Sequence, residues 1–283
     1  MKDKTIIQIS DTHLTPDGEK PSFNQQLNPY NKLSLVFGDL KKMDTKPDLI
    51  VLTGDLIHEG KASDYVRLQE ILHAKEQELG VSICVLLGNH DRTAAFYEGF
   101  LHKEAQEKYY YKVTIDGVDN YFLDTTFGNI EQGYLDKKQL AWLEKNLAEH
   151  AKRPALIFMH HPIAGASLRY MRFSVLQNGA ELLDACQKGN VKGGIFAGHI
   201  HFPTTYATAG IINAVAESTA YHIDCRSYKK HEVSDVVGYN IITLSTAGEI
   251  GVENRYLYWG GQEIVKEISV DQTDFVDPQI FKK

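Results

Sequence analysis

Five short apolar runs, each followed within three residues by Asp, Asn or His, limit what this 283-residue chain can fold into. The runs lie at residues 6–9, 49–52, 83–87, 156–159 and 194–197. Each is rich in Ile, Val and Leu on both faces, which favours a buried strand. Helical spacing of apolar residues lies between the runs, as at Leu140, Leu143 and Leu147. This alternation predicts an α/β fold.

A polar cluster follows each run, where the predicted strand ends. The clusters are Asp11-Thr12-His13, Gly54-Asp55, Gly88-Asn89-His90-Asp91, His160-His161-Pro162 and Gly198-His199-Ile200-His201. In open α/β sheets, binding sites lie beyond the carboxyl ends of the strands, so we expect the clusters to converge. Each cluster alone is a weak signal, because a His-x-His pair or an Asn-containing turn is often incidental. Together, they predict one functional site.

The side chains in these clusters suit transition metals. They offer oxygen and nitrogen donors without cysteine, which is typical of Mn, Fe or Zn at a catalytic centre. The Asp-x-His and His-x-His spacings would place both side chains of a pair on one face of a strand. Together the clusters offer at least seven such donors. So many donors exceed the needs of one tetrahedral ion and suit two ions that share a carboxylate.

The charge of such a centre favours an anionic substrate. Two divalent ions bring about +4, whereas Asp11, Asp55 and a bridging hydroxide bring about −3, which leaves roughly +1. A site of that charge attracts a phosphate ester.

The whole chain has a net charge of −7, which argues against binding to a nucleic-acid polymer. No apolar stretch approaches the roughly 18 residues of a transmembrane helix. The cysteines, Cys84, Cys186 and Cys225, are odd in number and widely spaced, which indicates reduced thiols. We therefore expect a cytoplasmic protein that acts on a small molecule, without a membrane partner.

The ordered clusters resemble the calcineurin-like metallophosphoesterase superfamily over roughly the first 200 residues. Further segments are similar to the bacterial class III cyclic-nucleotide phosphodiesterases and the glycerophosphodiesterases of that branch. These segments are "GYLDKKQLAWLEKNLA", "HHPI", "LQNGAELLDACQKG" before "AGHIH", and "GIINAVAESTAYHID". The resemblance implies a two-sheet β sandwich flanked by helices, in four αββα layers.

One domain over residues 1–283 is the simpler interpretation of the chain. Its β-rich segment at about residues 232–270 would complete or extend the second sheet, or pair with another chain in a homodimer.

The resemblance also implies roles for individual residues. One ion would take Asp11, His13, Asp55 and His201, and the other would take Asp55, Asn89, His160 and His199. Asp55 would bridge the two ions. His160 is preferred to His161, because the family's ligand is the first residue of a His-x-Pro pattern. His90 would lie above the phosphate and either bind an oxygen or protonate the leaving alkoxide.

One position departs from the family pattern. Many relatives carry an Asp three residues after the bridging Asp, which can orient the catalytic histidine. Here His58 stands at that position and Glu59 follows, so either Glu59 substitutes or another residue orients His90. The loop at residues 163–178 is expected to cover the site. The candidate substrate contacts are His161, Arg169, Tyr170 and Arg172, although a solvated loop is an equal alternative.

The implied activity is that of a dinuclear metal-dependent phosphodiesterase, in which a metal-bridging hydroxide attacks a 3′,5′-cyclic nucleotide. The metals expected are Mn²⁺ and Fe, with Zn²⁺ as an alternative. Glycerophosphodiesterase or broad phosphomonoesterase activity is the alternative within enzymes. A non-catalytic metal-binding scaffold is the alternative outside them.

Overall fold

The computed structural model describes residues 2–151 and 153–259. The first sheet contains, in spatial order, β13 (Ile250–Leu257), β12 (Val237–Leu244), β1 (Lys4–Ile9), β2 (Leu49–Thr53) and β3 (Ile83–Leu86). The second contains β4 (Tyr111–Ile115), β5 (Val118–Phe122), β6 (Ala155–Phe158), β7 (Gly193–Ala197), β9 (Ile211–Val215) and β8 (Thr204–Thr208). A separate hairpin consists of β10 (His222–Asp224) and β11 (Glu232–Ser234).

Helices flank the two sheets. They are α1 (Pro29–Leu40), α2 (Ala62–Leu79), α3 (Thr93–Phe96), α4 (Lys137–Glu149) and α5 (Gly179–Lys188). At the start of α4, the side chain of Asp136 accepts hydrogen bonds from the backbone N–H groups of Lys138 and Gln139, which satisfies two of the free donors of the first turn. Among the described residues, no helix has both the length and the apolarity to cross a membrane.

Three apolar cores separate four layers. The residues of β2 show the arrangement, because Ile50 and Leu52 pack in the core shared with α1 and α2, whereas Leu49 and Val51 pack in the core between the sheets. A third core lies between the second sheet and the helices α4 and α5. Alternate side chains of a strand point to opposite faces, so a strand that is apolar throughout can serve two cores. The predicted αββα sandwich is confirmed.

The sheet topology brings the five polar clusters to one edge. β1, β2 and β3 are parallel neighbours in the first sheet, and β6 and β7 are parallel neighbours in the second. The carboxyl ends of parallel neighbours lie side by side. The two sheets also meet at this edge, where His160 Nδ1, which follows β6, lies 2.8 Å from the carbonyl oxygen of Thr53 at the end of β2.

The C-terminal hairpin joins the first sheet. β12 pairs antiparallel with β1 from Lys4↔Leu244 to Gln8↔Asn240, and β13 pairs with β12. This differs from the expected addition to the second sheet. An alternating strand pattern shows that a segment pairs, but it does not say with which strand. Residues 260–270 of the expected segment lie outside the described residues, and the single domain stays a prediction.

Candidate metal centre

The candidate ligands lie in turns just beyond the strands, and most of these turns are left-handed. Positive φ angles occur at Asp11 (50°), His13 (38°), Asp55 (49°), His199 (73°) and His201 (55°). Residues other than glycine adopt this region rarely, and such strain concentrates at functional sites. The expectation that strand spacing aligns each pair is wrong, because β1 ends at Ile9 and β7 at Ala197, before the pairs begin. Left-handed backbone conformations, rather than strand spacing, set the direction of each of these side chains.

One group of donors consists of Asp11, His13 and His201, all buried. His13 Nε2 lies 3.1 Å from His201 Nε2, and His201 Nε2 lies 3.5 Å from Asp11 Oδ1. One ligand atom of each residue lies within 4.8 Å of the others. Nitrogen and oxygen ligands bind zinc-like ions at about 2.0–2.2 Å, so atoms this close can share one ion.

A second group of donors consists of Asn89, His160 and His199, also buried. His160 Nε2 lies 3.1 Å from Asn89 Oδ1 and 3.2 Å from His199 Nδ1. An imidazole nitrogen and an amide oxygen are both neutral donors suited to a transition metal. This group can therefore hold a second ion.

Asp55 lies between the two groups. Its Oδ2 is 3.5 Å from His13 Nε2 in the first group and 3.3 Å from His160 Nε2 in the second. Its Oδ1 accepts a hydrogen bond of 2.8 Å from the backbone N–H of His90. One carboxylate oxygen thus faces both groups while the other is held by the backbone.

Backbone carbonyls set the tautomers of three rings in this site. The ring nitrogen opposite the cluster contacts a carbonyl oxygen in each case: His160 Nδ1 to Thr53 at 2.8 Å, His199 Nε2 to Glu131 at 3.0 Å, and His201 Nδ1 to Tyr221 at 2.8 Å. A carbonyl oxygen can only accept, so the nitrogen facing it carries the proton. In the neutral form of each ring, which metal binding requires, the other nitrogen presents its lone pair to the cluster. Histidines that bind metals usually donate their other ring N–H to a carbonyl or carboxylate in this way.

The electrostatics of the cluster also suit a cation. Burial disfavours the charged ring and holds the pKa values of His13, His161 and His199 well below the usual histidine range. Burial opposes the charge of His160 too, but nearby carboxylates, Asp55 foremost, outweigh it and raise its pKa to about 9. Burial alone would raise the pKa of Asp55, yet His160 holds that pKa well below the carboxyl range. Asp55 is therefore an anion among rings that are mostly neutral.

Two glycines make room for these contacts. Gly54 has a φ of +89°, which a side chain would strain, and a Cβ there would lie 2.5 Å from His160 Nδ1. A Cβ on Gly88 would lie 2.2 Å from Asp55 Oδ1 and 2.7 Å from His160 Nε2. Gly54 thus supplies both the turn and the space, whereas Gly88 supplies the space.

His90 is half-buried and its ring stacks on His58, with centroids 4.5 Å apart and an interplanar angle of 23°. The Glu59 carboxylate pairs with Arg92 Nη2 at 2.9 Å, and Glu59 contacts His90 through its backbone N–H, which donates to the carbonyl oxygen of His90 at 3.0 Å. His58 also contacts the first donor group, since its Nδ1 lies 3.1 Å from His13 Nδ1. The residue that departs from the family pattern therefore supports His90 by stacking and touches a candidate ligand.

The expected substrate contacts separate in the structure. His161 is buried beside the second donor group, with ring centroids 4.4 Å from His199. Arg169 and Tyr170 form a cation–π pair at 4.7 Å, and Tyr170 packs on Tyr228. Arg172 is exposed and also lies over Tyr228, at 5.5 Å. Among residues 2–151 and 153–259, no hydrogen bond or ring contact joins these three loop residues to the candidate ligands.

Several contacts at the centre were not predicted from the sequence. The carbonyls of Thr53, Glu131 and Tyr221 anchor the rings, and Tyr221 also stacks on His201 at 4.2 Å. Thr125 Oγ1 lies 2.8 Å from His161 Nδ1. Every residue has a carbonyl, so no sequence pattern singles out these three.

The family model for calcineurin-like phosphoesterases matches residues 4–203, which contain all of the candidate ligands. The chain belongs to the calcineurin-like phosphoesterase family. This confirms the predicted family and the predicted class of enzyme, a metal-dependent hydrolase of phosphate esters. The candidate His and Asp groups are the part of this phosphoesterase that suits metal binding.

Curated relatives lie in the branch that the sequence predicted. A probable cyclic nucleotide phosphodiesterase of Rhodococcus erythropolis is 29% identical over 220 residues, which cover 77% of this chain and 72% of the relative. A probable glycerophosphodiester phosphodiesterase of Arcobacter nitrofigilis is 28% identical over 233 residues, covering 80% and 83%. A dimetal phosphatase from Danio rerio matches in structure with a TM-score of 0.56 at 14% identity, covering 91% of this phosphoesterase and 99% of that chain. That likeness shows the fold alone.

Proposed function

We propose that this phosphoesterase is a dinuclear phosphodiesterase whose favoured substrate is a 3′,5′-cyclic nucleotide. The proposal depends mainly on the position of Asp55, which faces two separate groups of nitrogen and oxygen donors through one oxygen. A single ion would leave one of these groups of lone pairs without a cation. The names of the relatives support a diester as the substrate.

We assign seven ligands to the two sites and leave out His161, whose ring also lies within 4.8 Å of His160 and His199. One ion is held by Asp11, His13, Asp55 and His201, and the other by Asp55, Asn89, His160 and His199. When bound, the ions supply Lewis-acid stabilisation and an activated water. Mn²⁺ and Fe are the favoured metals and Zn²⁺ is the alternative, because all three accept imidazole and carboxylate ligands.

His90 acts on the substrate side of this centre. Its backbone N–H is held by Asp55 Oδ1, while its half-buried ring stays accessible beside the donor groups. The ring either donates to a phosphate oxygen or protonates the departing alkoxide. We further infer a cytoplasmic protein that acts on a small diester, while a homodimer stays a prediction.

His58 positions a ligand in this proposal, and its replacement tests that role. For His13 Nε2 to bind an ion, Nδ1 must carry the proton and donate it to His58 Nδ1, 3.1 Å away. We expect His58→Ala to weaken Mn²⁺ binding at one of the two sites by roughly 10- to 100-fold, the usual cost of losing the acceptor that orients a metal-binding histidine. Calorimetric titration of the metal-free protein measures this.

The control is His73→Ala, because His73 is an exposed histidine on α2. His58→Asn, which retains a hydrogen-bond acceptor, should restore part of the affinity. Unchanged Mn²⁺ binding in His58→Ala would contradict the assignment.

Substrate charge provides a further prediction. A diester monoanion neutralises a centre of roughly +1, whereas a monoester dianion leaves an excess negative charge. With Mn²⁺ supplied, kcat/KM for bis(p-nitrophenyl) phosphate should exceed that for p-nitrophenyl phosphate near neutral pH. A tenfold preference for the monoester would favour the phosphomonoesterase alternative. No turnover of either ester by metal-loaded protein would favour the scaffold.

A screen of natural diesters distinguishes the two proposed substrate classes. Cyclic nucleotides and glycerophosphodiesters are offered to the metal-loaded protein, and the products are identified by mass. Nucleoside monophosphate as the main product supports the favoured substrate. Glycerol phosphate as the main product supports the alternative.

A further inference from the structure

A cavity of about 500 Å³ lies between the turn that follows His90 and the loop that leads into α4. Arg92 lines one wall, and Thr126, Phe127 and Tyr134 line the other. Neither wall includes a candidate metal ligand.

The first wall is continuous with the candidate centre. Asp91, which lines the cavity, directly follows His90, and its carboxylate accepts a 2.9 Å hydrogen bond from the backbone N–H of Gly88. Arg92 is the next residue. Consecutive Cα atoms are about 3.8 Å apart, so this wall begins within one residue of the ring assigned to the substrate.

The second wall is also tied to the centre. Thr126 in the wall follows Thr125, whose Oγ1 lies 2.8 Å from His161 Nδ1. The same loop carries Glu131, whose carbonyl accepts the hydrogen bond of His199. Each wall of the cavity therefore includes a residue next in the chain to a residue at the centre, His90 on one side and Thr125 on the other.

The charges of the cavity do not suit a second phosphate. Its lining includes two cationic side chains, Arg92 and Lys108, and three carboxylates, Asp91, Glu107 and Asp136. Without excess positive charge, the cavity suits the uncharged part of an ester.

The cavity has flat aromatic surfaces, and Arg92 in its lining carries a donor without a partner in the described part of the chain. Phe127 is 59% exposed and Tyr134 is 38% exposed, and their rings pack edge to face at 5.9 Å. Arg92 Nη2 is paired with Glu59, but Arg92 Nη1 is buried without a hydrogen-bond partner in the described part of the chain. An exposed phenylalanine gains from a planar ligand that covers it, and a buried donor gains from an acceptor.

We propose that this cavity is the nucleobase subsite, in which Phe127 stacks on the base and Arg92 donates to a ring nitrogen or exocyclic oxygen. The inference rests on the phosphodiesterase activity proposed above and goes further, because it explains a preference for nucleotides. A glycerol group has no planar face to stack. This proposal places the base in the cavity rather than against the loop at residues 163–178, where the sequence predicted substrate contacts.

Two matched variants test the subsite. Phe127→Ala and Phe173→Ala each remove an exposed phenylalanine, 59% and 65% exposed, from the cavity and from the 163–178 loop respectively. Stacking lost to alanine should raise KM for 3′,5′-cyclic AMP in Phe127→Ala by roughly 5- to 100-fold, with little change in kcat. Phe173→Ala should leave KM unchanged. Glycerophosphoethanolamine, which lacks a ring, should show no difference between the variants and the unaltered protein.

A binding measurement separates this proposal from the activity. Saturation-transfer NMR with adenosine should show transfer to the adenine protons in the unaltered protein and its loss in Phe127→Ala. If diesters are hydrolysed but Phe127→Ala leaves KM for cyclic AMP unchanged, the subsite is overturned while the phosphodiesterase stands. A raised KM in Phe173→Ala alone overturns it in favour of the 163–178 loop. If no diester is hydrolysed, the proposed function is refuted. In that case the subsite is refuted too if adenosine shows the same saturation transfer with Phe127→Ala as with the unaltered protein.

Discussion

Asp55→Asn is expected to release metal from both sites and to lower kcat/KM for any diester by at least about 10³-fold. The amide keeps the shape of the carboxylate and can still accept from the backbone N–H of His90. It loses the negative charge that faces His13 and His160 through a single oxygen. Elemental analysis after gel filtration should find well under one ion per chain where the unaltered protein holds about two.

A control for this variant is Asp119→Asn. Asp119 is equally buried, but it lies near the start of β5, away from the carboxyl ends of the strands. That protein should keep its metal. Retention of about two ions by Asp55→Asn would refute the bridging role of Asp55.

His90→Ala should leave the metal content unchanged and slow hydrolysis of a cyclic nucleotide by roughly 10²–10⁴-fold, the usual range for lost acid–base assistance. The ring of His90 contacts His58 and His13 but belongs to neither donor group. Rapid-mixing kinetics on the metal-loaded variant give the loss in kcat, and elemental analysis gives the metal content.

The leaving group resolves the role of His90. A ribose alkoxide needs a proton to depart, whereas p-nitrophenolate departs without one. If His90 is the general acid, the loss will be large for the nucleotide and small for bis(p-nitrophenyl) phosphate. Equal losses would leave only the phosphate-binding role. His102→Ala, an exposed histidine, is the matched control, and loss of metal in His90→Ala would show that His90 is itself a ligand.

Much of the site can be predicted from the sequence, because residues that follow the ends of parallel strands lie at the same edge of the sheet. Apolar residues on both faces of β2 require two cores, and this requirement predicts a buried strand. Donors placed immediately after several such strands must then meet at one edge. The α/β class and the convergence of Asp11, Asp55 and His160 were predictable on these grounds, whereas the αββα layers were implied by the family resemblance.

The sequence by itself determined which donors exist and at which edge of the fold they gather. The tertiary structure decided how they face one another. The tautomers of His160 and His201 depend on the carbonyls of Thr53 and Tyr221, which are remote in the chain or carry no sequence signal. The stack of His58 on His90 and the cavity beside Arg92 likewise join segments that only folding brings together. The pattern of apolar residues along the chain indicates the burial and the periodicity of a single helix or strand. The tautomers, the ring stack and the cavity instead depend on contacts between elements, and the packing of the two sheets sets the geometry of those contacts.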